Sequence, residues 1–103
     1  MIVGAEKFIV ERLTTLDDGM GGYTEQWEQV QTVYGDIVKY TEELGDEAGD
    51  KDFLIAKIVI RTRYFDFDPN SMRISWNGKI IKVVNKKDYA GRILELEGEV
   101  YER

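Results

Sequence analysis

With no histidine and no cysteine, any chemistry in this chain must come from carboxylates, lysine, arginine or tyrosine. The commonest general base, the thiolate nucleophile and the soft metal ligands are missing. Twenty Asp and Glu residues make paired acids too frequent for any one pair to mark an active site. A working pair needs a shared cleft that drives its two pKa values apart. The expectation is that the chain is not an enzyme and uses no cofactor.

Three constellations invite a sharper reading. Asp66, Asp68 and Asn70 repeat the first three oxygen ligands of a calcium-binding loop, but the sixth position is Ser71 where a turn glycine is required and the twelfth is Asn77 where a bidentate Glu is required. A turn around Pro69 accounts for the same residues. Gly19, Gly21 and Gly22 have the look of a phosphate cradle, yet no Gly-Lys-Ser/Thr follows and Asp17 and Asp18 would repel phosphate. Arg61, Arg63, Arg73, Lys82, Lys86 and Lys87, with Tyr64 and Trp76 nearby, have the composition of a basic aromatic face for single-stranded nucleic acid. A net charge of −6 opposes that use, because phosphate binding depends on an excess of Lys and Arg.

The charge is segregated along the chain. Residues 1–56 carry −9, residues 57–92 carry +6 and residues 93–103 carry −3. Two uses stay open: pairing of neighbouring strands inside one domain, or complementary surfaces for head-to-tail assembly. In the second case Arg61 and Arg63 are candidate subunit-interface residues.

The elements that would position these groups read as strands. Ala56, Ile58, Ile60, Thr62 and Tyr64 alternate with Lys57, Val59, Arg61 and Arg63, and Leu94, Leu96, Gly98 and Val100 alternate with Glu95, Glu97 and Glu99. This period of two buries one face of a sheet. Asn77-Gly78 predicts a tight hairpin in which Trp76 faces Lys79, Ile74 faces Ile81 and Met72 faces Val83. Residues 7–14 and 23–40 form a second hairpin around the glycine-rich stretch 16–22. Residues 41–52 hold six carboxylates and two glycines and predict a mobile acidic loop.

At 103 residues, with no repeat and no linker, the chain predicts a single domain over 1–103. The economical architecture is all-β, a small antiparallel β-barrel with a long flexible acidic loop. The absence of cysteine suits a reducing cytoplasm. The short apolar start, residues 1–5, has neither a basic flank nor a sustained hydrophobic run, so neither a signal peptide nor a membrane partner is expected.

The order of these signals resembles the phage head-tail joining family, the head-tail adaptor or head-closure proteins of long-tailed phages and prophages. Gly21-Gly22-Tyr23-Thr24-Glu25-Gln26-Trp27 is similar to their Gly-Gly-x-Thr-x-x-Trp segment, and Val33-Tyr34-Gly35-Asp36-Ile37 to the strand after it. Residues 58–64 resemble their hydrophobic-Arg-x-Arg strand, while Met72-Arg73-Ile74, Gly78-Lys79 and Leu94-Glu95-Leu96 match their C-terminal hairpin and last strand. The likeness runs over residues 8–99 and departs at 41–52, where relatives carry a more helical stretch.

The resemblance implies a virion structural protein at the head-tail interface, present in the host cytoplasm before assembly. Its partners would be the portal or an adaptor protein of the head, the tail proteins and further copies of itself in a ring, usually a dodecamer. DNA would pass through the channel without specific binding. In such a ring, Glu42, Glu43, Leu44, Asp46, Glu47, Asp50 and Asp52 are candidate residues of a channel or gating loop. The competing readings are a small nucleic-acid-binding barrel and a generic protein-interaction domain of bacterial origin.

Overall fold

A computed structural model describes residues 4–42 and 54–102. Six antiparallel strands follow in chain order: β1 (Glu6–Asp17), β2 (Tyr23–Glu42), β3 (Leu54–Arg63), β4 (Met72–Trp76), β5 (Lys79–Tyr89) and β6 (Ile93–Glu102). They close into a barrel with the spatial order β1-β2-β3-β6-β5-β4. The all-β barrel expectation therefore holds.

Alternation sets which residues go inside. Ala56, Ile58, Ile60 and Thr62 of β3, and Leu94, Leu96 and Val100 of β6, are buried together with Phe8 and Val10 of β1 and Ile74 and Ile81 of the β4–β5 hairpin. Each fully buried large aliphatic contributes roughly 1.5–3 kcal/mol relative to exposure. Thr62 and Ser75 are the buried polar residues among those described, and the Thr62 hydroxyl donates to the Arg63 carbonyl at 2.9 Å. Six strands enclose too narrow a space for a lumen, so side chains fill it.

The two ends of the barrel are stopped by aromatic rings. At one end Trp76 packs on the core, with Phe8 at 6.4 Å and Tyr40 at 6.1 Å between ring centroids. Its indole N–H donates to Glu6 Oε2 at 3.2 Å, and the Lys79 ammonium sits 5.8 Å from the ring. At the other end Phe67 is buried and meets Phe65 edge-to-face at 5.9 Å.

Closure requires curvature, and the strands obtain it from bulges. The β1–β2 register shifts after Val10, β2–β3 between Ile37 and Lys39, β3–β6 between Leu54 and Ala56, and β5–β6 between Val83 and Asn85. The residues skipped at these shifts are Val30, Val38, Ile55 and Val84; the three valines are exposed, while Ile55 is half-buried against the core.

Three boundaries differ from the sequence expectation. The Asn77-Gly78 turn has positive φ at both residues, 48° and 74°, and pairs Trp76 with Lys79 and Ile74 with Ile81 as the turn type demands. The β4–β5 ladder ends there, however, and Met72 lies opposite Arg12 of β1 instead of Val83. Strand β3 stops at Arg63, because the chain then crosses the barrel mouth to insert Phe65 and Phe67, leaving Tyr64 exposed with its N–H on the Arg92 carbonyl at 3.0 Å. Thr41 and Glu42, expected at the start of the acidic loop, extend β2 opposite Lys57 and Ala56.

Gly35 permits the close β2–β3 approach. A Cβ there would fall onto the Arg61 carbonyl oxygen and 2.7 Å from Thr62 Cγ2. Gly98 is equally confined, 2.7 Å from Ile81 Cγ2 and 2.8 Å from the Lys82 carbonyl oxygen. Both contacts involve backbone that cannot rotate away. Gly35→Ala is expected to destabilise the fold by about 1–3 kcal/mol through overpacking, read as a lower urea midpoint with unchanged slope. A midpoint equal to wild type would show that the sheet can give at this point.

Candidate interaction surfaces

Strand β2 is much longer than its neighbours, and the excess leaves the barrel. Pairing of β1 with β4 ends at Arg12 opposite Met72, and pairing of β2 with β3 begins only at Gly35 opposite Thr62. The intervening β1–β2 ladder continues to Asp17 opposite Tyr23 with no third strand beside it among the described residues. A two-stranded arm therefore stands out from the barrel end, in a molecule measuring 51 × 34 × 20 Å.

The arm's tip is held by local carboxylates. Asp17 Oδ1 accepts the Gly19 N–H at 2.8 Å, and Asp18 Oδ1 accepts those of Met20 at 2.7 Å and Gly22 at 3.0 Å. Gly19 and Gly21 take φ of 79° and 84°, which side-chain-bearing residues rarely adopt. The glycine cluster is thus a carboxylate-capped turn in which the Gly19, Met20 and Gly22 N–H groups already have carboxylate acceptors, and the phosphate-cradle reading fails on that ground.

The base is braced by Arg73 on β4. Its guanidinium donates from Nε to Glu11 Oε1 at 2.8 Å and lies 4.1 Å above the Trp27 ring. Both charged side chains are largely buried, so the pair is screened less than a surface one. Above this brace the arm exposes apolar side chains, with Met20 91% and Tyr23 75% accessible.

Four of the six bases proposed as a nucleic-acid face are engaged in other tasks. Arg73 braces the arm, Arg61 pairs with Glu95 at 2.9 Å, Lys86 donates to the Phe67 carbonyl at 2.9 Å and Lys82 sits 5.7 Å from the Tyr101 ring. Tyr64 and Trp76 lie at opposite ends of the barrel, so they form no shared stacking platform. On the outer wall β6 runs between β3 and β5, and its Glu95, Glu97 and Glu99 face Arg61, Val59 and Lys57 on one side and Lys87, Asn85 and Lys82 on the other. Much of the charge segregation along the sequence is therefore internal cross-strand pairing.

Of the two candidate interface residues, Arg61 is engaged by Glu95, while Arg63 is exposed at the barrel end opposite Ile93. Glu42 is an exposed strand residue, and Glu43, Leu44, Asp46, Glu47, Asp50 and Asp52 lie outside the described residues.

The calcium-like motif is a turn. Asp68 Oδ1 accepts the Asn70 N–H at 3.0 Å, Oδ2 accepts the Ser71 hydroxyl at 2.9 Å, and the Asp68 carbonyl accepts the N–H of Met72 at 2.8 Å. Those bonds, led by the one from Asn70, hold the Asp68 carboxyl below its ordinary pKa. Nearby, the Tyr64 hydroxyl donates to Asp66 at 3.2 Å and its pKa is raised by that bond and the neighbouring charge. No group of three or more metal-ligating side chains converges among the described residues.

What these pieces define is a solid β-barrel with an unsupported arm, the form of a small assembly module. The profile of the phage head completion proteins matches residues 6–100, and the chain belongs to that family. As a member of that family it is a structural protein of the phage head. The fold is shared with a chain in the virion of a native gene transfer agent particle, at a TM-score of 0.70 and 16% identity, covering 96% of this chain and 94% of that one. No curated protein matches.

Two predictions concern these surfaces. Arg73→Ala should lower stability by about 1.5–3 kcal/mol, the worth of a hydrogen bond to a charged partner, and should increase amide exchange in the arm. Unchanged exchange across residues 13–28 would show that the brace does not hold the arm. For Asp68, the depressed folded pKa means its stabilisation is present above the unfolded pKa and is lost as pH falls through the folded value. Asp68→Asn should therefore melt below wild type at pH 7, and the gap should shrink as pH falls below 4, the ordinary carboxylate range being about 3.9. A gap independent of pH would mean the carboxylate charge is not used.

Proposed function

We propose that this protein completes the phage head by joining or closing the portal-to-tail interface as an oligomeric ring that retains packaged DNA and offers the tail a docking surface. The observation that carries the reading is the filled interior. Rings at both ends and aliphatic side chains between them leave no path for a duplex through one barrel, so any channel must run between copies. Family membership supplies the setting, the head in which such a channel is needed.

Its partners are the portal or an adaptor protein on one side, tail proteins on the other and further copies around the axis, a dodecamer by the resemblance. The net charge of −6 suits a surface past which DNA slides without adhering. A heterologous contact repeated by rotation closes a ring, and a preformed head complex lowers the entropic cost of closure. Arg63, exposed and free of ion pairs among the described residues, is the better placed of the two candidate interface arginines. Before assembly the protein waits in the host cytoplasm.

Removing the gene from its phage should give heads that package DNA, lose it and carry no tails, and adding purified protein to fresh extracts should restore tailed particles. Infectious tailed particles formed without the protein would overturn the reading.

A further inference from the structure

Along the arm, one edge of β2 points its main-chain groups away from the hairpin. The Leu13 N–H donates to the Ser71 carbonyl at 2.8 Å on the β4 side, so Leu13 and its partner Trp27 form a pair whose N–H and C=O groups face away from each other. At the tip the Asp18 N–H donates to the Gly22 carbonyl at 3.0 Å, the inward-facing kind of pair, as strict alternation from Leu13 requires. The main-chain groups of Tyr23, Glu25, Trp27 and Gln29 therefore lie on the outer edge, and none of them bonds to a third element among the described residues. Seven residues of strand offer roughly 23 Å of open ladder.

Such edges are ordinarily blunted by lysine, proline or a bulge. Between Tyr23 and Gln29 there is no base, no proline and no register shift, and the first skipped residue is Val30. What this edge carries instead is negative charge. Residues 11–28 hold Glu11, Asp17, Asp18, Glu25 and Glu28 against Arg12, and Arg73 at the base brings the arm to −3. Glu28 lies opposite Arg12 and Glu11 pairs with Arg73, whereas Glu25 is exposed and lies opposite Thr15.

A second copy of this chain is the wrong occupant. Its strands are already paired around the barrel, and its own arm carries the same negative charge. The longer stretches between strands are acidic too, with five acids and one base over residues 43–53 and two acids and no base over residues 64–71. An extended segment that fits must belong to a different protein and carry Lys or Arg where it crosses Glu25.

We propose that the outer edge of β2 from Tyr23 to Gln29 receives a basic, extended strand of a non-identical head or tail protein, which pairs through the main chain as a third strand of the arm. The inference rests on the joining function given above and names the chemistry of one partner. Main-chain bonds set the register, Glu25 selects the charge, and the rings of Tyr23 and Trp27, on the same face as Glu25, cover the apolar side chains of the incoming strand.

Proline substitution separates main-chain pairing from side-chain contact, because proline is tolerated where a strand's N–H faces solvent. Purified variants are added to extracts of a phage lacking the gene, and tailed particles are counted. Glu25→Pro removes one outward N–H and should lower the yield by about tenfold or more, by leaving a carbonyl of the incoming strand without its donor. Glu25→Ala keeps the N–H and should stay within about threefold of wild type. Glu25→Lys with Glu28→Lys should lower the yield by about tenfold or more through repulsion of the basic strand. Circular dichroism and urea melts establish that each free variant is folded, and Tyr23→Pro, at the first residue of β2, replaces Glu25→Pro if that variant is not. Wild-type yield from the folded proline variant or from the double reversal would overturn the proposal, as would a loss with Glu25→Ala equal to that with proline. Failure of the wild-type protein to restore tailed particles would instead overturn the function on which it rests.

Discussion

A short seam holds this architecture together. Strand β4 is five residues long and joins β1 across four pairs, Ile9 to Arg12 against Ser75 to Met72, and without that seam the six strands would be an open sheet. Open edges invite pairing with other chains, and closure removes them from the body of the protein. The seam also decides where closure stops. Past Arg12 there is no further residue of β4 for β1 to meet, and the remaining β1–β2 ladder continues as the arm.

The same constraint gives the molecule two unlike ends. At one lie the Asn77-Gly78 turn, the Trp76 plug and the ends of β2 and β6 at Glu42 and Glu102. The other holds the arm, the turn at Pro69 and the β5–β6 connection. A solid body with different surfaces at its two ends suits the joining role proposed above. The virion chain from the gene transfer agent particle shares this fold at low identity, consistent with a shape kept by alternation, turn chemistry and close-packed glycines.

Much of the barrel was legible in the sequence because its signals are local. The alternations in β3 and β6 named the buried faces apart from Tyr64, and Asn77-Gly78 fixed a register through backbone sterics alone. Bulges and exits were not legible. Val30, Val38 and Val84 lie outside the core despite their apolar type, because a bulge depends on the strand opposite. The Met72–Val83 pair follows the register that the turn sets, but the β4–β5 ladder ends at Ile74–Ile81, a length that the turn residues do not determine. The arm was visible as a hairpin but not as a projection, although its length beyond any nearby strand was the available sign. Arg73 looked like one of six surface bases, and only the fold shows it between Glu11 and Trp27.

Native-state hydrogen exchange on the free protein tests the central claim, that a self-sufficient closed barrel carries a two-stranded arm with no core of its own. Amides of the seam and core, such as Val10 and Ile74, should exchange only through global unfolding, while residues 14–26 exchange through local opening at far lower free energy. Equal protection of arm and barrel would contradict the account, since the arm would then be as stable as the closed barrel.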